Sequence, residues 1–223
     1  MAEFLHWGPA AAAVPATVRG AVAQGFGRDL TGTVVKATPS GQVLQVVLAN
    51  LPCHVKFYRY PTWRARWSGA LRNTWLWPSR AAREWAALAR LAAAGLQPDL
   101  RVAWGERRQF GFLDEAVLIT ASVPAPDLER WAIQAGPTRL AALEPALWAW
   151  VAALHHSGHR DRNLDPRNVL VVADGAQPRF VKIDSPRSFA VATGARDDRF
   201  TRADRARLLA GLTALRRSSP GSA

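Results

Sequence analysis

Residues 159–184 hold acid, amide and basic side chains in an order suited to moving a phosphoryl group. His159-Arg160-Asp161-Arg162-Asn163-Leu164-Asp165-Pro166-Arg167-Asn168 runs into Val169-Leu170-Val171, and Val181-Lys182-Ile183-Asp184 follows. A hydroxyl attacking the terminal phosphate of ATP needs a carboxylate to orient it and take its proton. It also needs an amide and a second carboxylate to hold magnesium ions against the phosphate charge. Asp161 fits the first role by its place after His159-Arg160, and Asn168 and Asp184 fit the other two. The spacing is irregular, because the usual loop puts the amide five residues after the aspartate and Asn168 stands seven after Asp161. Either the loop bulges and Asp161 remains the base, or Asp165 substitutes for it. Counting back five from Asn168 gives a third outcome, Asn163, an amide that accepts no proton at neutral pH.

Two further residues complete the order expected of a phosphoryl-transfer site. Lys56, in the strand-like run Val55-Lys56-Phe57, is placed to contact the α and β phosphates of ATP, and Glu84 on a downstream helix is placed to pair with it. The turn between Lys36 and Gly41 is a candidate phosphate loop. It carries one glycine, Gly41, so backbone amides there give only a weak signal.

The elements that must position these residues follow from local patterning. Runs at 33–36, 42–48 and 52–58 are β-rich and separated by turn residues, which predicts an antiparallel meander. Ser79 reads as the N-cap of a helix through Ala94, with Gly95 as its stop. Strands are expected at 100–104 and 116–120, which makes five strands and one helix in an N-terminal lobe. Val123-Pro124-Ala125-Pro126 resembles a hinge. Two helices are expected from Leu128 to His155, broken near Gly136-Pro137, followed by a hairpin of strands 168–172 and 179–183 around Asp174-Gly175 and a last helix over 201–216. The expected organisation is a flexible Ala/Gly/Pro-rich leader at 1–28, an N-lobe at 29–122, a C-lobe at 123–217 and a disordered tail at 218–223. The fold class is α+β: two lobes like those of a protein kinase, with a small β-rich N-lobe and a reduced, mainly helical C-lobe.

Several stretches from about Val34 to Leu212 resemble the bacterial lipopolysaccharide kinase family, whose members phosphorylate inner-core heptose or 3-deoxy-octulosonic acid. They are Arg80-Ala81-Ala82-Arg83-Glu84-Trp85, Ala116-Val117-Leu118-Ile119-Thr120, Gly158-His159-Arg160-Asp161, Asn168-Val169-Leu170-Val171, Ile183-Asp184-Ser185-Pro186-Arg187 and Asp204-Arg205-Ala206-Arg207-Leu208-Leu209. The resemblance implies ATP and Mg2+ as cofactors and a sugar hydroxyl as acceptor. By position it gives Lys56, Glu84, Asp161, Asn168 and Asp184 the five roles named above. The segment after Asp184 reads Ser-Pro-Arg where a protein kinase has Phe-Gly, and no Ala-Pro-Glu activation segment follows. The missing platform argues against a peptide substrate and favours a small or lipid-anchored acceptor.

The chain has 223 residues, a formal charge of +12, and 29 Lys plus Arg of which three are lysines: Lys36, Lys56 and Lys182. A lysine kept among so many arginines marks a place that demands a compact ammonium rather than a guanidinium fork. The basic surplus calls for an anionic partner, and an anionic glycolipid or sugar suits it. A nucleic acid would leave the ordered catalytic residues unexplained. Trp63, Trp67, Trp75 and Trp77 lie among Arg64, Arg66 and Arg72, a composition suited either to packing on the following helix or to a membrane interface. One cysteine, Cys53, and the lack of a long apolar run fit a cytoplasmic protein, peripheral at the inner face of the cytoplasmic membrane. The alternative functions are an aminoglycoside-type small-molecule phosphotransferase and a catalytically silent scaffold; oligomeric state is left open.

Overall fold

The computed structural model describes residues 2–68, 75, 77–174, 177–194 and 198–218. Its residues divide into two compact units, 1–89 with 99–122 and 90–98 with 123–223.

A six-stranded antiparallel sheet builds the first unit, in the order β1-β5-β6-β4-β3-β2. The strands are β1 (Ala2–Trp7), β2 (Thr33–Thr38), β3 (Gly41–Leu48), β4 (Leu51–Arg59), β5 (Arg101–Gln109) and β6 (Phe112–Ala121). Period-two alternation explains β4: Cys53, Val55 and Phe57 are buried on one face, while His54, Lys56 and Tyr58 line the other. The two expected strands near 100 and 116 are longer than their sequence cores, and they join through Phe110 and Gly111, both at positive φ (51° and 80°).

The sixth strand comes from the segment expected to be a flexible leader, and here the structure corrects the sequence. Residues 2–7 pair with β5, with Leu5 opposite Gly105 and Trp7 opposite Ala103. A 3-10 turn (Pro9–Ala13) and helix α1 (Ala16–Gln24) follow. Ala11, Val14, Val22 and Phe26 then join Val55, Phe57, Val117 and Ile119 in one buried cluster, so this segment roofs one face of the sheet. Without it those strand residues would meet water, at about 1.5–3 kcal/mol for each large side chain.

Helix α3 (Arg80–Ala93) begins as expected, with the Ser79 hydroxyl accepting a hydrogen bond from the Ala82 N–H at 3.0 Å. Helix α2 (Trp63–Ser68) precedes it. The Arg66 guanidinium of α2 is buried, donates to the Tyr60 carbonyl at 2.9 Å and pairs with Asp114. Trp63, Trp67 and Trp75 gather around the Phe112 ring at 5.5, 5.0 and 5.9 Å. These rings pack on β6 and stay largely exposed on their outer side. Arg72 lies outside the described residues.

The second unit holds α4 (Leu128–His156), β7 (His159–Asp161), β8 (Val169–Asp174), β9 (Gln177–Lys182), β10 (Ser188–Ala190) and α5 (Arg199–Ser218). The break expected near Gly136-Pro137 is present, with Gly136 at φ 79° inside α4. Leu147 and Val151 of α4, Leu164, Val169 and Val171 of the central loop and strand, and Leu208 of α5 form the core. The hairpin strands are as expected, but Gly175 of its turn lies outside the described residues, as do residues 219–223.

Candidate active site

Two clusters hold the candidate residues, one in each unit. In the first, the pleat of β4 turns Lys56 away from the Cys53-Val55-Phe57 core face and toward α3. Lys56 Nζ meets Glu84 Oε1 at 2.6 Å, and the Glu84 side chain is only 3% exposed. The Tyr58 hydroxyl, on the same face of β4, reaches Glu84 Oε2 at 3.5 Å. A carboxylate this buried needs its charge partner, so the pair fixes the ammonium on the strand. The sequence expectation that these two residues meet is met by the geometry. Gly41 opens β3 beside the Thr38 hydroxyl, which donates to its carbonyl. A Cβ there would come within 3.1 Å of the Phe57 carbonyl, so glycine lets β3 approach β4 at the turn.

In the second cluster, strand register does the positioning. Val169 opposes Lys182 across β8 and β9, and the Ile183 N–H donates to the Asn168 carbonyl at 3.0 Å, which brings Asn168 beside Asp184. Asp184 sits at φ 55°, a left-handed conformation that is strained for a non-glycine residue and concentrates at functional sites. Asn168 Nδ2 donates to the Asn163 carbonyl at 3.1 Å. Asn163 Nδ2 donates to the Asp184 carbonyl at 3.1 Å and lies 3.4 Å from its Oδ2. Asn163, Asn168 and Asp184 are all partly open to solvent.

Asp161 and Asp165, the two acids expected as the base, are placed differently. The Asp161 side chain is 0% exposed and forms an ion pair with Lys182 Nζ at 2.8 Å, itself 0% exposed. Its backbone N–H donates to Asp204 Oδ2 in α5 at 2.9 Å, and its Oδ1 accepts from the Asn163 N–H at 3.0 Å. Asp165 caps the 3-10 turn Pro166–Asn168, accepting from the Arg167 N–H and Nε at 3.1 and 3.0 Å. Burial works to raise its pKa, but the hydrogen bonds and charge of Arg167 outweigh that and hold it below the usual carboxylate range.

Sequence reasoning missed the residues that hold this loop in place. Lys182 was signalled by its rarity in an arginine-rich chain, and its role as the counter-charge of Asp161 appears only in three dimensions. Asp204 was noticed as part of a family-like helix, not as an anchor for the loop backbone. Gly211 in α5 gave no signal at all, yet a Cβ there would lie 2.6 Å from Pro166 Cδ and Cγ, so its absence lets α5 sit against the loop. His159 is buried, and burial first, then the charges of Lys182, Arg90, His155 and Arg160, push its imidazole down to about 3. Neither ring nitrogen finds a hydrogen-bond partner among the described residues.

The donor set fits magnesium. Hard Mg2+ takes oxygen ligands and is usually held by one or two carboxylates together with substrate phosphates. Asp184 offers a carboxylate, and with its Nδ2 engaged, Asn168 keeps its amide oxygen to offer. No group of three or more His, Cys, Asp or Glu side chains able to hold a metal exists among the described residues.

Comparison with known proteins agrees with the geometry. The family model described as "Lipopolysaccharide kinase (Kdo/WaaP) family" matches residues 44–213. Comparison with curated proteins finds no match. Among solved structures, one described as WaaP in complex with acyl carrier protein superposes with a TM-score of 0.63 at 23% identity, covering 92% of this chain and 80% of that one. That likeness is one of fold, and the fold is kinase-like. With the family model spanning well over half its length, the chain belongs to the lipopolysaccharide kinase (Kdo/WaaP) family, phosphotransferases that act on a sugar hydroxyl.

Proposed function

We propose that the protein transfers the γ-phosphoryl group of ATP to a sugar hydroxyl of the lipopolysaccharide core or a related anionic glycolipid. Lys56, fixed by Glu84, binds the α and β phosphates, and the turn ending at Gly41 offers backbone amides to them. Asn168 and Asp184 hold Mg2+, which neutralises charge on the transferring group. The observation that carries this reading is the meeting of Asn168 and Asp184 across the β8–β9 register, with Asp184 held in a strained left-handed turn.

The chemistry of the surface supports the acceptor class. A charge of +12, almost all of it arginine, suits an acceptor that already bears carboxylate or phosphate, which guanidinium binds through paired hydrogen bonds. Trp63, Trp67 and Trp75, which surround Phe112, are 47%, 64% and 41% exposed, and Trp77 is 58% exposed. Indole rings with neighbouring arginines favour the headgroup layer, so this surface supports a peripheral seat on an anionic leaflet, where a glycolipid acceptor resides. No described helix is long and apolar enough to cross a membrane.

Incubation with labelled ATP and Mg2+ against a panel of acceptors tests the reading. The panel holds heptose- and 3-deoxy-octulosonate-containing core oligosaccharides, free and in anionic vesicles, and aminoglycosides. Label is expected on a core sugar, more from vesicles than from solution. Label on aminoglycosides alone would transfer the assignment to small-molecule phosphorylation.

A further inference from the structure

The acceptor side of the catalytic loop presents an amide where a carboxylate is expected. The Asp161 side chain has no exposed surface: its Oδ2 is ion-paired with Lys182 and its Oδ1 accepts from the Asn163 N–H, while its backbone N–H donates to Asp204. So buried, it reaches a substrate hydroxyl only by turning away from the Lys182 ammonium that compensates its charge. Asp165 has an oxygen spent on Arg167 and on capping the turn that carries Asn168. The side chain that stands beside Asp184, five residues before Asn168, is Asn163. Its orientation is chemically determined, because both contacts are to oxygen atoms of Asp184 and only the NH2 end can donate to them. The carbonyl end, Oδ1, therefore remains as an acceptor, with no hydrogen bond among the described residues.

Resting on the kinase reading above, we infer that Asn163, lodged between Asp184 and Asn168, receives the acceptor hydroxyl. Its Oδ1 accepts the hydroxyl hydrogen bond and aims the oxygen at the γ-phosphorus, but it does not take the proton. Asp161 and Lys182 are positioning residues that hold the backbone on which Asn163 sits. The acceptor oxygen forms its bond to phosphorus as the bond from phosphorus to the ADP oxygen breaks. The hydroxyl proton passes to a non-bridging oxygen of the transferred phosphoryl group. Such a route is open because the transition state is loose, so little charge builds on the nucleophile until transfer is well advanced.

The test compares wild type, Asn163→Ala and Asn163→Asp, with melting curves as a check on folding. kcat for transfer to the core oligosaccharide and for ATP hydrolysis by water are read together with KM for ATP. Asn163→Ala is expected to lose about 10- to 100-fold in kcat by losing orientation. Asn163→Asp is expected to gain about tenfold or more, because a positioned base contributes roughly 10²–10⁴ where one is lacking. KM for ATP should change less than about twofold in both, a split that a merely structural role would not produce. The inference is overturned if Asn163→Asp loses activity alongside Asn163→Ala, if Asn163→Ala keeps wild-type kcat, or if Asp165→Asn on a fully folded protein loses more than Asn163→Ala. Persistence of the ordering in ATP hydrolysis, without transfer to any core sugar, leaves the assignment of Asn163 standing and removes only the acceptor class. Absence of both activities from all three proteins overturns the inference together with the kinase reading.

Discussion

At the residue scale, the ion pair of Lys182 with Asp161 explains why a chain so rich in arginine keeps a lysine there. The pocket leaves both side chains with no exposed surface, and a single ammonium also reaches the Ile183 carbonyl. A planar guanidinium fork would need more room and more acceptors. Removing one partner leaves a bare buried charge. Lys182→Ala is therefore expected to destabilise the fold by about 3–5 kcal/mol in denaturant unfolding. Replacing both charges, as in Asp161→Asn with Lys182→Met, should recover most of that loss. Equal damage in the single and double variants would show that the charge is not the cause. His159 nearby sets an acid limit. Its pKa is lowered in the fold to about 3 against an unfolded value near 6.5, so the unfolded chain binds the extra proton first as pH falls. Its contribution to stability is intact above about pH 6.5 and declines from there toward pH 3, by about 2 kcal/mol at pH 5. Unfolding measured at pH 7.5 and pH 5 should show that difference, and His159→Gln should reduce it.

At the element scale, α5 is the part that turns a loop into a site. Asp204 takes the Asp161 N–H, and Gly211 gives Pro166 its space. Gly211→Ala puts a methyl group 2.6 Å from Pro166 and must shift the turn that carries Asn168. The expected result is a kcat lower by about 10²-fold, as for an ångström-scale misplacement of reacting groups, with KM for ATP nearly unchanged. An unaltered kcat would mean that the loop does not depend on this contact. How well the sequence foretold each element depended on how local its cause was. The α3 cap at Ser79 and the alternation of β4 were readable because they lie within a few residues of one another. The N-terminal roof was not read, because its Ala, Gly and Pro content hides the apolar face. Val14, Val18, Val22 and Phe26 recur every four residues there, a helical signal that was available. The irregular count between Asp161 and Asn168 was also visible, but not its resolution. The Lys182 and Asp204 contacts that bury Asp161 come from 21 and 43 residues downstream, and no local pattern predicts them.

At the scale of the whole molecule, each unit holds one charged device, and the proposed reaction calls on both. The sheet unit offers an ammonium tied to a buried glutamate, and the helical unit offers an amide and a carboxylate gathered by a hairpin. Their linear order along the chain is that of a kinase, and the family match covers both. The arginine surplus acts over the whole surface, and its attraction for an anionic acceptor should weaken as salt rises. On the proposed reading, these two devices move phosphate from ATP to a sugar. The most direct test of that reading is transfer of labelled γ-phosphate to a core oligosaccharide in Mg2+ by wild type, Lys56→Met and Asp184→Ala, each shown to be folded. Transfer by wild type with a loss of at least about 10²-fold in both variants is the predicted result. Transfer undiminished in Asp184→Ala, or none by wild type to any core sugar, would contradict it.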